Sequence, residues 1–247
     1  MSLQNNFGSL SVEYNVARKG YPPQVFEHLQ SIVEKDKSRL LDVGCGTGIS
    51  TRQLKEYGFE VSGADKDTEM IRVAKEIDPS IPYIIALTDQ LPFENGFFDI
   101  VTAFTAFHWF NNETSLIEIK RILKVGGIFF AALKTNRKDE NPELKAGYFS
   151  ILKKYAGENF DTTKNHYDKT YLKNVGFSNI SERVFPVDEK YTLEEALTLI
   201  RSLSLWNLVL EEDKPQMLEE LKTLYERNLV EGFVVRQREI SVITATK

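Results

Sequence analysis

The chain has 247 residues, with 31 Lys plus Arg against 36 Asp plus Glu, a formal net charge of −5, and 42% apolar residues. This length and apolar content exclude an intrinsically disordered chain and fit one large domain, or a core carrying a smaller insertion. The acidic balance argues against a nucleic-acid groove, and no apolar run approaches the roughly 20 residues that span a bilayer. The first fifteen residues have neither the basic start nor the apolar stretch of a signal peptide. The single cysteine, Cys45, can form no internal disulfide. The expected setting is a reducing cytoplasm.

From about residue 38 to 135, short apolar runs alternate with helical periods. Residues 39–43 read as a buried strand that runs into a glycine turn. Residues 49–57 read as a helix stopped by Gly58, and 59–65 as a second strand. Asp67 suits the N-cap of a helix over 68–76, before Pro79. Residues 83–86 form a short third strand and 98–104 a fourth. A helix over 113–123 ends before Gly126-Gly127, and 128–133 is a fifth strand. Residues 180–187 and 233–243 read as two more strands, with helical patterns at 192–204 and 215–228 between them. The pattern predicts an α/β fold: a doubly wound, mostly parallel seven-stranded sheet. Its expected parts are one domain over 1–247, an N-terminal helical cap at 10–34, a cofactor-binding core at 36–135 and a helical lid insertion at 188–230. Such sheets bind ligands at the carboxyl ends of their strands, near the switch point after the first.

The strongest local signal is Leu41-Asp42-Val43-Gly44-Cys45-Gly46-Thr47-Gly48. Glycine serves where the backbone takes positive φ or where a ligand touches the main chain, and such a turn aims N–H groups at the ligand. The dinucleotide fingerprint G-x-G-x-x-G would want glycine at position 49, which is Ile. Asp42, two residues before the first glycine, would repel phosphate and suits a ligand with a cationic group. A nicotinamide-dependent oxidoreductase is therefore disfavoured. Asp65 closes the second strand, where an acid accepts hydrogen bonds from the two hydroxyls of a ribose. The alternative, a helix cap, already has Asp67.

The segments LLDVGCGTGIS, GADKDTEMIRVA and LPFENGFFDIVTAFTAFHWF, in this order and spacing, resemble the class I S-adenosylmethionine-dependent methyltransferases. The likeness is greatest to the small-molecule branch that includes ubiquinone-biosynthesis-type and trans-aconitate-type enzymes. It covers roughly residues 10–135 with motifs and the remainder more loosely. The resemblance implies that Gly44, Gly46 and Gly48 pass close to the methionine part of S-adenosylmethionine. It implies that Asp42 holds the methionine amino group, directly or through water, that Asp65 takes the ribose hydroxyls, and that Lys66 and Met70 flank the adenine, Met70 as an apolar lid. Where the family often has Gly-Asp-Ala before Leu-Pro-Phe, this chain has Ala86-Leu87-Thr88, so adenine recognition passes to Thr88, Asp89 and Gln90. Phe104 stands where a polar residue often touches the cofactor; an aromatic face there suits a sulfonium.

His108 is one of three histidines and follows the fourth strand; it can serve as a general base near pH 7, or as an orienting or packing imidazole. Tyr14 to Pro22 resembles the family's Tyr-x-x-x-Arg-Pro-x-Tyr-Pro stretch, with Lys19 in place of Pro. Tyr14 and Arg18 share a helix face and would close over the cofactor carboxylate or the acceptor, unless that face is solvated. Tyr21, His108, Trp109, Arg201 and Trp206 are the acceptor-side candidates; Arg201 suits a substrate carboxylate, its alternative being a surface charge. Cys45 reads as a packing residue, and His28 and His166 lack metal-ligand spacing, so no metal is expected. The implied reaction moves a methyl group to an O, N or C atom of a small organic acceptor, a carboxylic acid among the candidates, leaving S-adenosylhomocysteine. The alternative is a non-catalytic S-adenosylmethionine-binding protein on the same fold.

Overall fold

The computed structural model describes residue 15 and residues 18–33, 38–157 and 168–247. Tyr14 and His166 lie outside the described residues, as do residues 10–14, 16, 17 and 34 of the expected cap.

The strands are β1 (Arg39–Val43), β2 (Glu60–Asp65), β3 (Tyr83–Ile85), β4 (Phe98–Phe104), β5 (Leu123–Asn136), β6 (Ser178–Tyr191) and β7 (Val234–Thr246). They form one sheet in the order β3-β2-β1-β4-β5-β7-β6. β1 pairs parallel with β2 and β4, β2 with β3, and β4 with β5. The chain order reverses at β1, between β2 and β4, which sets the switch point beside the glycine turn. Four of the five β1 residues are buried, as a parallel strand covered on both faces requires. β7 runs antiparallel to β5: the Gly126 N–H donates to the Lys247 carbonyl at 3.2 Å and the Lys247 N–H to the Gly127 carbonyl at 3.0 Å.

The helices are α1 (Pro23–Ile32), α2 (Ile49–Glu56), α3 (Thr68–Ile77), α4 (Glu113–Ile122), α5 (Pro142–Ala156), α6 (Lys169–Asn174), α7 (Leu193–Arg201) and α8 (Lys214–Arg227). Asp67 caps α3 as its side chain predicts, its Oδ1 accepting from the N–H groups of Glu69 at 3.0 Å and Met70 at 3.2 Å. Asn112 caps α4 in the same way. α7 opens with a full capping box between Thr192 and Glu195.

Two compact units share these elements. The first takes the described residues of Met1–Lys19, Thr135–Lys164 and Pro186–Glu239; the second takes those of Gly20–Lys134, Asn165–Phe185 and Ile240–Lys247. The core of the second joins Leu41, Val101, Phe107, Ile119 and Phe129 to Ile243 and Ala245. The core of the first joins α5, α7 and α8 through Leu152, Ile200, Met217, Leu221 and Tyr225.

Most elements fall within two residues of their expected bounds. The sixth strand runs four residues past its expected end and the seventh three, α7 stops three residues early, and the fifth strand departs most. It spans Leu123–Asn136 rather than 128–133, because Gly126 and Gly127 find backbone partners on Lys247. The expected helical insertion at 188–230 also gains α5 as a packing partner, a helix absent from the sequence reading. No helix of the described residues is long and apolar enough to cross a membrane.

Candidate functional site

In the second unit, β1 ends at Val43 and the chain turns through Gly44, Gly46 and Gly48 at φ of +67°, +54° and +79°. Gly44 is needed on two grounds. Its φ disfavours an L side chain, and a Cβ there would stand 2.5 Å from the Ala106 Cβ. The turn does not present its N–H groups to a ligand as expected. Gly44 and Cys45 both donate to the Ala64 carbonyl, at 2.7 and 3.1 Å, Gly48 donates to the Cys45 carbonyl at 2.9 Å, and Gly46 donates to Asp65. A turn whose donors are engaged by its own chain is a poor phosphate cradle. It still lets a ligand lie flat against main chain that carries no Cβ.

Asp42 is completely buried. Its Oδ2 accepts from Ser50 Oγ at 2.9 Å and Thr51 Oγ1 at 2.7 Å, and its Oδ1 accepts from Thr102 Oγ1 at 2.9 Å. Burial pushes its pKa up to about 6, against the pull of the three hydroxyls. The expected contact with a ligand's amino group, directly or through water, is not among these bonds and stays a proposal. In this structure Asp42 faces inward and ties β1 to β4 and to the first turn of α2. Cys45 is a buried packing residue as expected, its thiol pushed up by burial.

Asp65 ends β2, half-buried. Its Oδ2 accepts from the Gly46 N–H and its Oδ1 from the Asp67 N–H, both at 2.9 Å. Burial raises its pKa, with these bonds opposing. Each carboxylate oxygen retains a second lone pair for a ligand hydroxyl. Asp65 stands in register with Ile85, which is 55% exposed, and two residues on Leu87 is 49% exposed. These side chains make an apolar ledge beside the carboxylate. Lys66 is exposed, Thr88 is half-buried, and Asp89 and Gln90 are exposed in a turn closed by the Gln90 N–H to the Leu87 carbonyl at 3.1 Å. Met70 is buried, with its sulfur 4.0 Å from where a Cβ on Gly46 would stand. It lies against the glycine turn, where its expected role as an apolar lid on the adenine stays a proposal.

At the end of β4, Phe104 is buried in an aromatic group with Tyr21, Phe26 and Phe130. The Tyr21 ring meets its edge, with centroids 4.7 Å apart, so the aromatic face expected at Phe104 is shared with Tyr21. The Tyr21 hydroxyl bonds Thr105 Oγ1. Lys134, at the end of β5, donates to the Gly20 carbonyl at 3.3 Å and lies over the Tyr21 ring. Thr105 and Lys134 were missed by the sequence reading. A β-branched residue at positive φ leaves no sequence signal, and Tyr21 meets Thr105 across 84 residues. His108 lies in a short 3-10 helix, Phe107–Trp109, its ring 4.6 Å from that of Trp109. Its Nδ1 is buried without a hydrogen-bond partner. Burial pushes its pKa down to about 4. The imidazole is therefore neutral at pH 7, the state from which it could accept a proton, and its role as general base stays a proposal. Trp109 is half exposed.

Three candidates belong to the first unit. Arg18 is half-buried and has electrostatic contact with Tyr191. Arg201 closes the last turn of α7. Trp206 lies under the Lys214 ammonium, 4.9 Å from its ring centroid.

A switch-point site with a glycine turn, a strand-ending carboxylate and exposed apolar side chains beside it, and with no phosphate cradle among the described residues, fits a nucleoside cofactor on a doubly wound sheet. The comparisons narrow this. A methyltransferase-domain family model matches residues 41–131. An uncharacterized methyltransferase of Schizosaccharomyces pombe is 30% identical over 213 residues, covering 85% of this chain and 82% of its own length. One from Mycobacterium tuberculosis is 29% identical over 165 residues, 67% of this chain and 63% of its own. Among solved structures, the YcgJ protein of Bacillus subtilis superposes with a TM-score of 0.59 at 16% identity, covering 91% of this chain and 98% of its own. A phosphoethanolamine N-methyltransferase of Haemonchus contortus gives 0.56 at 20%, covering 97% and 57%. The chain belongs to the class I S-adenosylmethionine-dependent methyltransferases. It is an enzyme of that class, and S-adenosylmethionine is its cofactor.

Proposed function

We propose that the second unit holds S-adenosylmethionine along its glycine turn, for methyl transfer to a small organic acceptor that carries a nucleophilic oxygen at neutral pH, a carboxylic acid first among them. The observation that carries the cofactor placement is Asp65, bonded to the Gly46 N–H on one side and in register with the exposed Ile85 on the other. Asp65 would take the ribose hydroxyls. Ile85, Leu87 and Lys66 would flank the adenine, with Thr88, Asp89 and Gln90 at its edge. The glycines would lie against the methionine part. Arg18, and Tyr14 outside the described residues, stay proposed for the carboxylate end; Arg201 and Trp206 stay proposed for the acceptor.

Bound, the cofactor supplies a methyl carbon on a sulfonium. The protein contributes alignment and exclusion of water, since holding both reactants in place removes most of the entropic barrier. The aromatic group around Phe104 keeps the strand end dry. His108, neutral at pH 7, would accept at Nδ1 a hydrogen bond from a hydroxyl or water beside the acceptor's carboxylate, without forming a cation. Among the described residues, His108 is pushed well below the range of a base poised near pH 7, so an acceptor that is already anionic fits better than a phenol or an ammonium. A trans-aconitate-type reaction is the nearest family model for this; a ubiquinone-biosynthesis-type reaction on a phenol is the rival. The acidic chain and small-molecule chemistry fit a cytoplasmic enzyme without nucleic-acid substrates.

Calorimetric titration with S-adenosylhomocysteine, with NADH as control, tests the cofactor placement. Binding of the first alone is expected, and binding of NADH would overturn it. Turnover on a panel of carboxylic acids, phenols and amines tests the acceptor. Methylation of an acid with a rate flat from pH 6 to 9 is expected. Turnover of phenols or amines only would reject the carboxylate.

A further inference from the structure

Tyr21 is fixed at several points. Its backbone N–H donates to Gln53 Oε1 at 2.9 Å and its carbonyl accepts from Gln53 Nε2 at 3.0 Å. Gln53 lies on α2, the helix that leaves the glycine turn. The Tyr21 hydroxyl bonds Thr105, and the ring edge meets Phe104. Thr105 is held at a φ of +49°, an unfavourable value for a β-branched residue, while its N–H donates to the Ala132 carbonyl at 2.6 Å. Strain of this kind persists only where the surroundings over-determine it, and it gathers at functional sites. The ring is thus a fixed platform at the carboxyl end of β4.

The face of this ring carries a cation. Lys134 Nζ lies 5.0 Å from the centroid and 3.3 Å from the Gly20 carbonyl oxygen. An aromatic face beside a carbonyl oxygen is a seat for positive charge, favouring a weakly hydrated onium group over a strongly hydrated ammonium. The Lys134 side chain is long and flexible, whereas the platform is not.

We propose that the Tyr21 face and the Gly20 carbonyl form the seat of the cofactor's sulfonium, and that Lys134 is a built-in occupant which the sulfonium displaces. The inference rests on S-adenosylmethionine binding in the second unit. It makes Tyr21 and Lys134 determinants of discrimination between charged cofactor and neutral product. Transfer of the methyl group leaves sulfur uncharged as a thioether. The ammonium then regains the seat, which favours release of S-adenosylhomocysteine.

The test is calorimetric titration of the whole chain with S-adenosylmethionine and with S-adenosylhomocysteine. It uses wild type, Lys134→Met, Tyr21→Leu and the double variant. Lys134→Met is expected to raise the affinity ratio in favour of S-adenosylmethionine by about threefold to tenfold, the worth of one cation–π contact. Tyr21→Leu is expected to lower that ratio, and in its background Lys134→Met should have a smaller effect. An equal effect of Lys134→Met in both backgrounds would reduce Lys134 to through-space repulsion and overturn the seat. Failure of wild type to bind S-adenosylhomocysteine would instead reject the cofactor placement itself. Nuclear magnetic resonance on wild type needs no variant to fold. The Lys134 side-chain methylene protons nearest the ammonium, shielded by the Tyr21 ring, should move to solvent values with S-adenosylmethionine and stay in place with S-adenosylhomocysteine. Identical responses to the two would overturn the proposal.

Discussion

Asp42 in the second unit and Glu140 in the first are both almost wholly buried carboxylates, satisfied by different means. Asp42 in the second unit takes three neutral hydroxyls, from Ser50, Thr51 and Thr102. Glu140 in the first unit takes a guanidinium: Arg236 Nε donates to its Oε1 at 2.8 Å, both side chains being almost wholly buried. Arg236 also lies over the Tyr148 ring at 4.4 Å. Burial alone would lower its pKa, but Tyr148, Tyr225 and Glu140 outweigh that and hold it above the ordinary value. Hydroxyls solvate a carboxylate without adding charge, so Asp42 remains titratable in the acid range. An ion pair removes that freedom and makes each partner dependent on the other.

The largest effect should follow from breaking the pair. Arg236→Met leaves Glu140 buried without its cation and should cost about 3–5 kcal/mol in denaturant unfolding. Recovery of most of this in an Arg236→Met/Glu140→Gln double variant would confirm that the unpaired charge is the cause. A single-variant loss below about 1 kcal/mol would mean that water reaches Glu140, and the contrast with Asp42 would vanish.

The next effect separates the carboxylates by pH. The folded pKa of Asp42 lies above its ordinary 3.8, so between 3.8 and about 6 the folded state holds the proton more tightly. Stability therefore falls as pH rises through this window, by about 2–3 kcal/mol at full extent. His108 acts in the opposite sense. Its pKa drops from 6.5 to about 4, so the unfolded chain protonates first and stability is lost as pH falls through that range. Unfolding curves of Asp42→Asn and His108→Gln between pH 4 and 7 should each remove one slope. An unchanged slope in Asp42→Asn would show that its hydroxyl shell cancels the cost of burial.

Smaller effects probe the ligand side. Asp65→Ala should weaken S-adenosylhomocysteine binding by about 1–3 kcal/mol through lost charge-assisted hydrogen bonds; unchanged affinity would remove the ribose from this carboxylate. The smallest concerns Tyr83, whose hydroxyl is buried against Gly48 without a hydrogen-bond partner. Tyr83→Phe should be neutral, or stabilising by up to about 1 kcal/mol, in thermal unfolding. A clear loss would reveal a water bonded to that hydroxyl.

What was legible in the sequence was local and periodic. The β1 run, the glycine turn, Asp65 at a strand end and the Asp67 cap each depend on residues within a few positions of one another. The direction of a side chain was not legible. Asp42 precedes the first glycine by two residues, and only the fold turns it toward Ser50, Thr51 and Thr102, the last 60 residues away. The depressed pKa of His108 likewise depends on burial that no motif encodes. Contacts between distant segments, such as Tyr21 with Thr105 and Lys134, carry no period. The extra length of β5 arises from pairing with Lys247, more than a hundred residues on.

That last pairing has a consequence in time. The second unit gathers residues 20–134, 165–185 and 240–247, and the final segment supplies Ile243 and Ala245 to its core. A ribosome delivers the glycine turn and β4 long before it delivers β7. Until residue 247 has emerged, β5 lacks its neighbour on that side and the apolar surface meant for Ile243 stays uncovered. The cofactor platform should therefore mature only once residues 240–247 have emerged. A nascent chain stalled before residue 240 should bind chaperones and no S-adenosylhomocysteine.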